Sequence, residues 1–148
     1  RPFGTTLNIE RNRTKGVEAI LTVIPIEQFR IDANYTYLDA ENRSTGANMG
    51  NRLARRPSSS FYINASYRTS YGLKIGADLQ IVGDSFDDLA NSRRIDGYAL
   101  TGMRADMPIT GNIELFGRID NLFDVTYETA TDFGTLGRSA YIGARARF

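Results

Sequence analysis

The segment Arg138–Phe148, RSAYIGARARF, alternates along almost its whole length. Ala140, Ile142, Ala144, Ala146 and Phe148 fall on one side of an extended chain, and Tyr141, Gly143, Arg145 and Arg147 on the other. Successive strand residues point to opposite faces, so one side is apolar and the other is wet. An aromatic residue closes the apolar side. This pattern suits the last strand of a wall with oil on one face and water on the other, pairing through Ile142, Ala144, Ala146 and Phe148 with the strand that completes the wall.

Six further stretches share the period. Arg13–Ile24 sets Val17, Ala19, Leu21 and Val23 against Gly16, Glu18 and Thr22, with Ile20 and Ile24 breaking the pattern on the wet side. Phe29–Leu38 sets Phe29, Ile31, Ala33, Tyr35 and Tyr37 against Arg30, Asp32, Asn34 and Thr36. Phe61–Arg68 and Leu73–Ile81 alternate as cleanly. Gly97–Met107 is weaker, with Leu100 among the polar set, and Ile113–Asp120 carries Phe116 on its wet side. The phase of each stretch is expected to keep charged residues off the apolar side. Thr6–Glu10 alternates briefly and suggests one more strand.

The connections alternate in length. Residues 25–28, 69–72 and 108–111 are tight, with turn-forming Pro, Ser and Gly. Residues 39–60, 83–96 and 123–137 are long and polar. Short turns at one end and long loops at the other are how membrane β-barrels of bacterial outer membranes are built. Phe29, Tyr67 and Phe148 would line the short-turn rim, and Tyr35, Tyr37 and Phe61 the long-loop rim, as two interfacial belts. The expected fold is all-β, an antiparallel transmembrane β-barrel segment of about seven or eight strands. A soluble β-sandwich is the alternative; it requires the apolar faces to pack together.

Composition narrows the function. Among 148 residues there are 18 basic and 17 acidic side chains, a net charge of +1 that argues against nucleic-acid binding. Cysteine and histidine are absent, so disulfides, thiolate chemistry and Ser-His or Cys-His catalysis are excluded. No enzyme activity and no cofactor are expected. No apolar run approaches the ~20 residues of a membrane-spanning helix, whereas a barrel strand needs only ~9–11 alternating residues. The chain opens on Arg-Pro-Phe-Gly without a signal segment, and is expected to be a mature product or part of a longer chain.

Ile119-Asp120-Asn121-Leu122-Phe123-Asp124-Val125-Thr126-Tyr127 resembles the "NLFD..Y" box near the end of TonB-dependent outer-membrane receptors. Lys15-Gly16-Val17-Glu18 resembles that family's "KGVE" strand start. Tyr35–Ala40 and Leu53-Ala54-Arg55-Arg56-Pro57 resemble its "YTYLDA…RRP" region, and Gly137-Arg138 with the strand to Phe148 its closing segment. Order and spacing match over almost the whole chain. The Leu53–Pro57 stretch and the final strands look most like vitamin B12 (cobalamin) transporters, with siderophore receptors sharing enough of the pattern to remain an alternative. The resemblance implies the last third of a barrel of about 22 strands, with residues 1–148 the carboxy-terminal wall and loops and the lumen-filling plug absent from this chain. It implies the bacterial outer membrane, active uptake of a scarce bulky ligand, and partnership with the TonB complex through the missing plug segment. The barrel-assembly machinery, the bilayer and lipopolysaccharide are the other expected partners. A passive porin or structural barrel is the runner-up from another class.

Candidate site residues follow from position. Asp87, Asp88, Arg93 and Arg94 in a long loop are candidates for ligand capture, since loops on a rigid scaffold carry recognition. Asp84, Asp87 and Asp88 could offer oxygens to calcium, but their spacing is not that of an EF-hand and a solvated acidic loop is the expectation. Arg55-Arg56 and Arg93-Arg94 could attract an anionic ligand or lipopolysaccharide phosphates. Wet-face charges would pair with one another or hold water; among them Arg145 and Arg147, near the short-turn rim, are the candidates for plug contact. Asn121, Phe123, Asp124 and Tyr127 are expected to serve structure, capping a turn and lining a rim.

Overall fold

The structure, a computed structural model, describes residues 9–148. Of the suggested extra strand, Thr6, Leu7 and Asn8 lie outside the described residues, and Ile9 and Glu10 precede the first strand without joining it. The elements are β1 (Asn12–Ile26), β2 (Phe29–Asn42), β3 (Ser59–Arg68), β4 (Lys74–Val82), β5 (Ser85–Phe86), β6 (Arg94–Ile95), β7 (Tyr98–Pro108), β8 (Ile113–Asp120) and β9 (Ser139–Ala146). All seven alternating stretches are strands.

Seven of them form one antiparallel sheet in the order β1-β2-β3-β4-β7-β8-β9, each beside its neighbour in sequence but for the β5-β6 hairpin between β4 and β7. Among the described residues β1 and β9 are the two edges of an open sheet. Their backbone polar groups on the outer side await partners, which lipid cannot provide.

Register places the two sides of each strand as the alternation predicts. On the apolar side, Leu21, Ala33, Ile63, Leu79 and Thr101 lie in one cross-strand row, and Ala65, Ala77, Met103, Ile119 and Ala140 in the next. The tyrosine and phenylalanine belts sit either side of these rows, with Tyr35 opposite Phe61 and Phe29 opposite Tyr67. This side has no second layer among the described residues: Leu21 is 58% exposed, Leu115 44% and Ile142 89%. A sandwich would bury them, so that alternative fails. Among the described residues the buried apolar side chains are Ala40, Leu53 and Ile95, all near the long-loop end.

Five details depart from the sequence reading. Arg13 and Lys15 share the apolar side's phase, contrary to expectation. They stand opposite Glu41 and Asp39, beyond the Tyr35–Tyr37 belt. Arg13 pairs with Glu41 at 2.9 Å and with Asp39 at 3.5 Å. β1 and β2, 15 and 14 residues long, exceed a membrane span, and their charged ends project past the interface. Second, β1 continues through Pro25 to Ile26, because one extra residue between Val23 and Ile26 shifts the register. Such a bulge accommodates Pro25, which has no N–H to donate, and explains why Ile24 breaks the alternation. Third, the 39–60 loop is shorter than read, since β2 runs to Asn42. Fourth, the 83–96 loop contains the β5-β6 hairpin. Fifth, β9 ends at Ala146, although the Arg147 N–H still donates to the Asn112 carbonyl at 2.9 Å. Phe148 lies past the strand and is fully exposed.

Phe116, an aromatic on the wet side, has a physical reason. It stands opposite Gly143, where a Cβ would come within 2.5 Å of its ring, and the Arg145 guanidinium lies 5.5 Å from the ring centre. The ring covers the bare backbone of the glycine. Gly143→Leu, which drives a side chain into that ring, is expected to cost about 1–3 kcal/mol. A urea midpoint within error of the parent's would contradict this packing.

Candidate functional site

The three long connections meet above the sheet as an ion-paired clasp. The Arg52 guanidinium donates to the Asp84 carboxylate at 3.0 Å and to the Asp84 carbonyl at 2.6 Å, and lies 5.2 Å from the centre of the Phe86 ring. Arg94 reaches the same carboxylate at 3.6 Å. Arg55 donates to Asp87 at 2.7 Å, and its backbone N–H donates to the Phe86 carbonyl at 2.6 Å. Arg93 lies 3.8 Å from Asp87 and 2.8 Å from Asp132, which brings in the third loop. The Asn91 side chain joins the first two loops, accepting from the Arg52 N–H at 2.8 Å and donating to the Arg52 carbonyl at 2.9 Å.

The sequence candidates are thus brought together, but against one another. Arg55, Arg93 and Arg94 are paired with carboxylates instead of standing free for an anion. Asp88 accepts from the Ser92 hydroxyl at 2.7 Å and from the Ser92 and Arg93 N–H groups at 3.0 Å each, shaping the hairpin tip. The Asp87 side chain is 9% exposed and that of Asp84 33%, and all three aspartates accept hydrogen bonds or ion pairs from the loops. Among the described residues no group of three His, Cys, Asp or Glu could hold a metal ion. The sequence reading missed Arg52, whose neighbours were too far away in sequence to be inferred; its partner Asp84 is 32 residues on.

Hydrogen bonding sets the carboxylates' acidity. Donation from Arg52 holds Asp84 below the ordinary carboxylate range, and donation from Arg55 does so for Asp87, each against a smaller opposing effect of burial. Donation from the Ser92 hydroxyl, with the backbone N–H groups, lowers Asp88. A carboxylate whose folded pKa is depressed stabilises fully above its unfolded value, near 3.9, and loses that contribution as pH falls through the folded value. Exchange protection of the Arg55 amide is therefore expected to stay flat from neutral pH to about 4 and to fall only below it. Loosening between pH 7 and pH 5 would contradict the clasp.

The wet face of the sheet is also organised. Carboxylates Asp32 and Asp78 share one cross-strand row through Asn64, and Arg30, Arg104 and Arg118 share the next. Arg30 pairs with Asp32 at 2.7 Å, Arg118 with Asp120 at 3.2 Å, and Arg104 donates to the Asn64 side-chain amide oxygen at 2.9 Å. Arg145 pairs with Glu114, and Arg147 borders a small polar hollow beside the 109–112 turn. Both plug-contact candidates therefore lie at the short-turn end of the wet face.

The box at 119–127 is a turn staple. The buried Asn121 side chain accepts from the Val125 N–H and donates to the Val125 carbonyl, both at 2.9 Å. Asp124 accepts from the Arg138 N–H at 2.7 Å, and Tyr127 packs on Tyr98 with ring centres 4.5 Å apart.

Residues 2–122 match the family described as TonB dependent receptor-like, beta-barrel. The chain belongs to that family. Vitamin B12 transporter BtuB of Photobacterium profundum is 30% identical over 143 residues, which cover 96% of this chain and 22% of that protein. The ferrichrome outer membrane transporter/phage receptor of Escherichia coli K12 is 29% identical, over 92% of this chain and 19% of its own. The crystal structure of the siderophore receptor PiuA from Acinetobacter baumannii superposes with a TM-score of 0.79 at 26% identity, covering 90% of this chain and 21% of that one. The chain thus spans about a fifth of the length of the relatives it matches. Membership makes the sheet part of an outer-membrane barrel wall, its apolar side toward lipid and its wet side toward the lumen. The family consists of receptors and transporters and not of enzymes.

Proposed function

We propose that this chain forms the carboxy-terminal wall and outer loops of a TonB-dependent receptor that takes up cobalamin by energised transport. The observation that carries the ligand class is the 30% identity to a vitamin B12 transporter along 96% of the chain. The wall supplies a rigid frame, and the clasp of Arg52, Asp84, Arg55 and Asp87 holds the outer loops in one arrangement before any ligand arrives. Preorganised loops spend less binding energy on ordering. Binding would take place at the outer loops and the apex of a plug carried elsewhere in the receptor, and the TonB complex would drive its rearrangement from the inner membrane. The barrel-assembly machinery inserts the wall, and the surface near the long-loop rim meets lipopolysaccharide. The chain alone, with both edges open, neither closes nor transports.

A ferric siderophore is the second reading, favoured by the likeness to PiuA and the ferrichrome transporter. Titration of the full-length receptor with cyanocobalamin and with ferric siderophores separates the two. Cobalamin binding with uptake lost in a strain without TonB is expected; siderophore binding alone would move the receptor to the second class. TonB-independent uptake would make it a passive barrel.

A further inference from the structure

We propose that an apolar hollow on the lipid-facing side of β4, β7, β8 and β9 holds one acyl chain of a phospholipid, entering from the short-turn end. The hollow measures about 390 Å³, within the range of small-molecule sites (~300–1,000 Å³). Its floor is Ala105 and Gly117, direct partners on β7 and β8. Leu73 and Ile75 wall it on the β4 side and Ile142 on the β9 side, and the Met103–Ile119 pair closes it toward the long loops. The next pair toward the short turns, Met107 and Leu115, stands outside the lining, so the hollow opens that way. Arg104, Arg118 and Tyr141 border it from the opposite face: the two guanidinium groups are bound to Asn64 and Asp120, and that of Arg118 lies 4.5 Å from the centre of the Tyr141 ring. The hollow therefore suits hydrocarbon and not a charged group.

Gly117 points to an occupant. Glycine inside a strand weakens it, and its usual reasons are a positive φ, a bulge or the close approach of another group. Gly117 has no positive φ and sits in unbroken register, and a Cβ built on it would meet nothing closer than the Tyr141 carbonyl oxygen at 3.6 Å. Glycines on the wet face of the same sheet are different. A Cβ at Gly76, Gly102 or Gly143 would strike Arg104, Asp78 or Phe116 at 3.0 Å or less. The protein fills its glycine spaces on the lumen side and leaves this one open to the membrane. Family membership puts hydrocarbon against this side, so the group approaching Gly117 is hydrocarbon. Three strand spacings, about 14 Å, separate the backbones of the two walls. Their side chains narrow that gap below the ~10–12 Å width of a helix. An acyl chain is thin enough to lie on Ala105 and Gly117. Short turns are periplasmic, so the open end meets the phospholipid leaflet and not lipopolysaccharide.

The test places the full-length receptor in vesicles of phosphatidylethanolamine and phosphatidylglycerol. A trace of the phosphatidylethanolamine bears a photoactivatable diazirine at the end of one acyl chain. Label at residues 103–119 is expected to exceed that at Ala33, on the same side of the sheet but on β2, by about tenfold, a ratio that about ten close carbon contacts supply. A diazirine near the glycerol should move the label toward Met107 and Leu115; the reverse order would overturn entry from the short-turn end. Ala105→Leu with Gly117→Leu fills the hollow and should bring the label down to the level at Ala33. The same variant should keep a urea midpoint at or above the parent's, since leucine suits the lipid side. A lowered midpoint would mean that the protein's own packing needs the space, and would overturn the site. Equal label at the two places in the parent, or an excess that survives both leucines, would overturn it too. Label at neither place would overturn the lipid-facing orientation of this side as well.

Discussion

Leu79→Arg in the full-length receptor is expected to destabilise the folded wall by about 2–4 kcal/mol, while Gln80→Arg, one residue on, leaves it within about 0.5 kcal/mol. Leu79 lies in a cross-strand row with Leu21, Ala33 and Ile63, between the Tyr35–Phe61 and Phe29–Tyr67 belts. That is the depth at which a guanidinium must enter hydrocarbon far from either interface. Gln80 faces the opposite way, beside Asn34 and Tyr62 in register, where water or a lumen domain meets it. Reversible unfolding in urea from lipid vesicles measures both. Equal costs at the two positions would mean that the sheet does not separate oil from water. The experiment therefore tests the physical basis of the fold at two adjacent residues, where differences in backbone propensity cannot account for the contrast.

The wall was legible because a membrane strand is written in a period of two, and that period needs no knowledge of distant residues. Ile75, Leu115 and Ile142 announce their side of the sheet by their neighbours alone. The departures arise where something other than local alternation decides. Arg13 and Lys15 keep the apolar phase because β1 has already left the membrane, and sequence phase carries no record of depth. Ile24 falls out of phase through a bulge around Pro25, an irregularity that a strict period cannot express. Phe116 looked like an error of patterning until Gly143 supplied the bare backbone it covers, a pairing 27 residues away in sequence. The loops were the least legible part. Arg93, Arg94, Asp87 and Asp88 stand out in the sequence for their charge, but charge alone does not say which residue each one meets. Each is engaged by a residue of its own or a neighbouring loop, and Arg52, the residue that ties two loops together, stands in a stretch with no motif of its own.

Asn121→Ala is expected to cost about 2–4 kcal/mol, more than any other single change in the loops. Asn121 is 6% exposed, and its side-chain amide both donates to and accepts from the backbone of Val125. Truncation leaves the half-buried N–H and carbonyl of Val125 without those partners, at about 1–3 kcal/mol. Asn121 also has a φ of 50°, in the left-handed region that asparagine tolerates better than alanine, at roughly a further 1 kcal/mol. Asn121→Gly separates the two contributions: it loses the same hydrogen bonds and relieves the backbone, so it should be less damaging than alanine by about that last amount. The damage should spread to β7, because the Leu122 N–H donates to the Thr101 carbonyl at 2.8 Å only while this turn holds its shape. Exchange of the Leu122 amide and the urea midpoint report the two effects, and ligand affinity at full folding should change little. A variant of unchanged stability that binds its ligand poorly would make Asn121 a recognition residue and the box a binding site. The reciprocal pair of hydrogen bonds to Val125 argues for the turn, since both polar ends of the side chain are already engaged by the backbone.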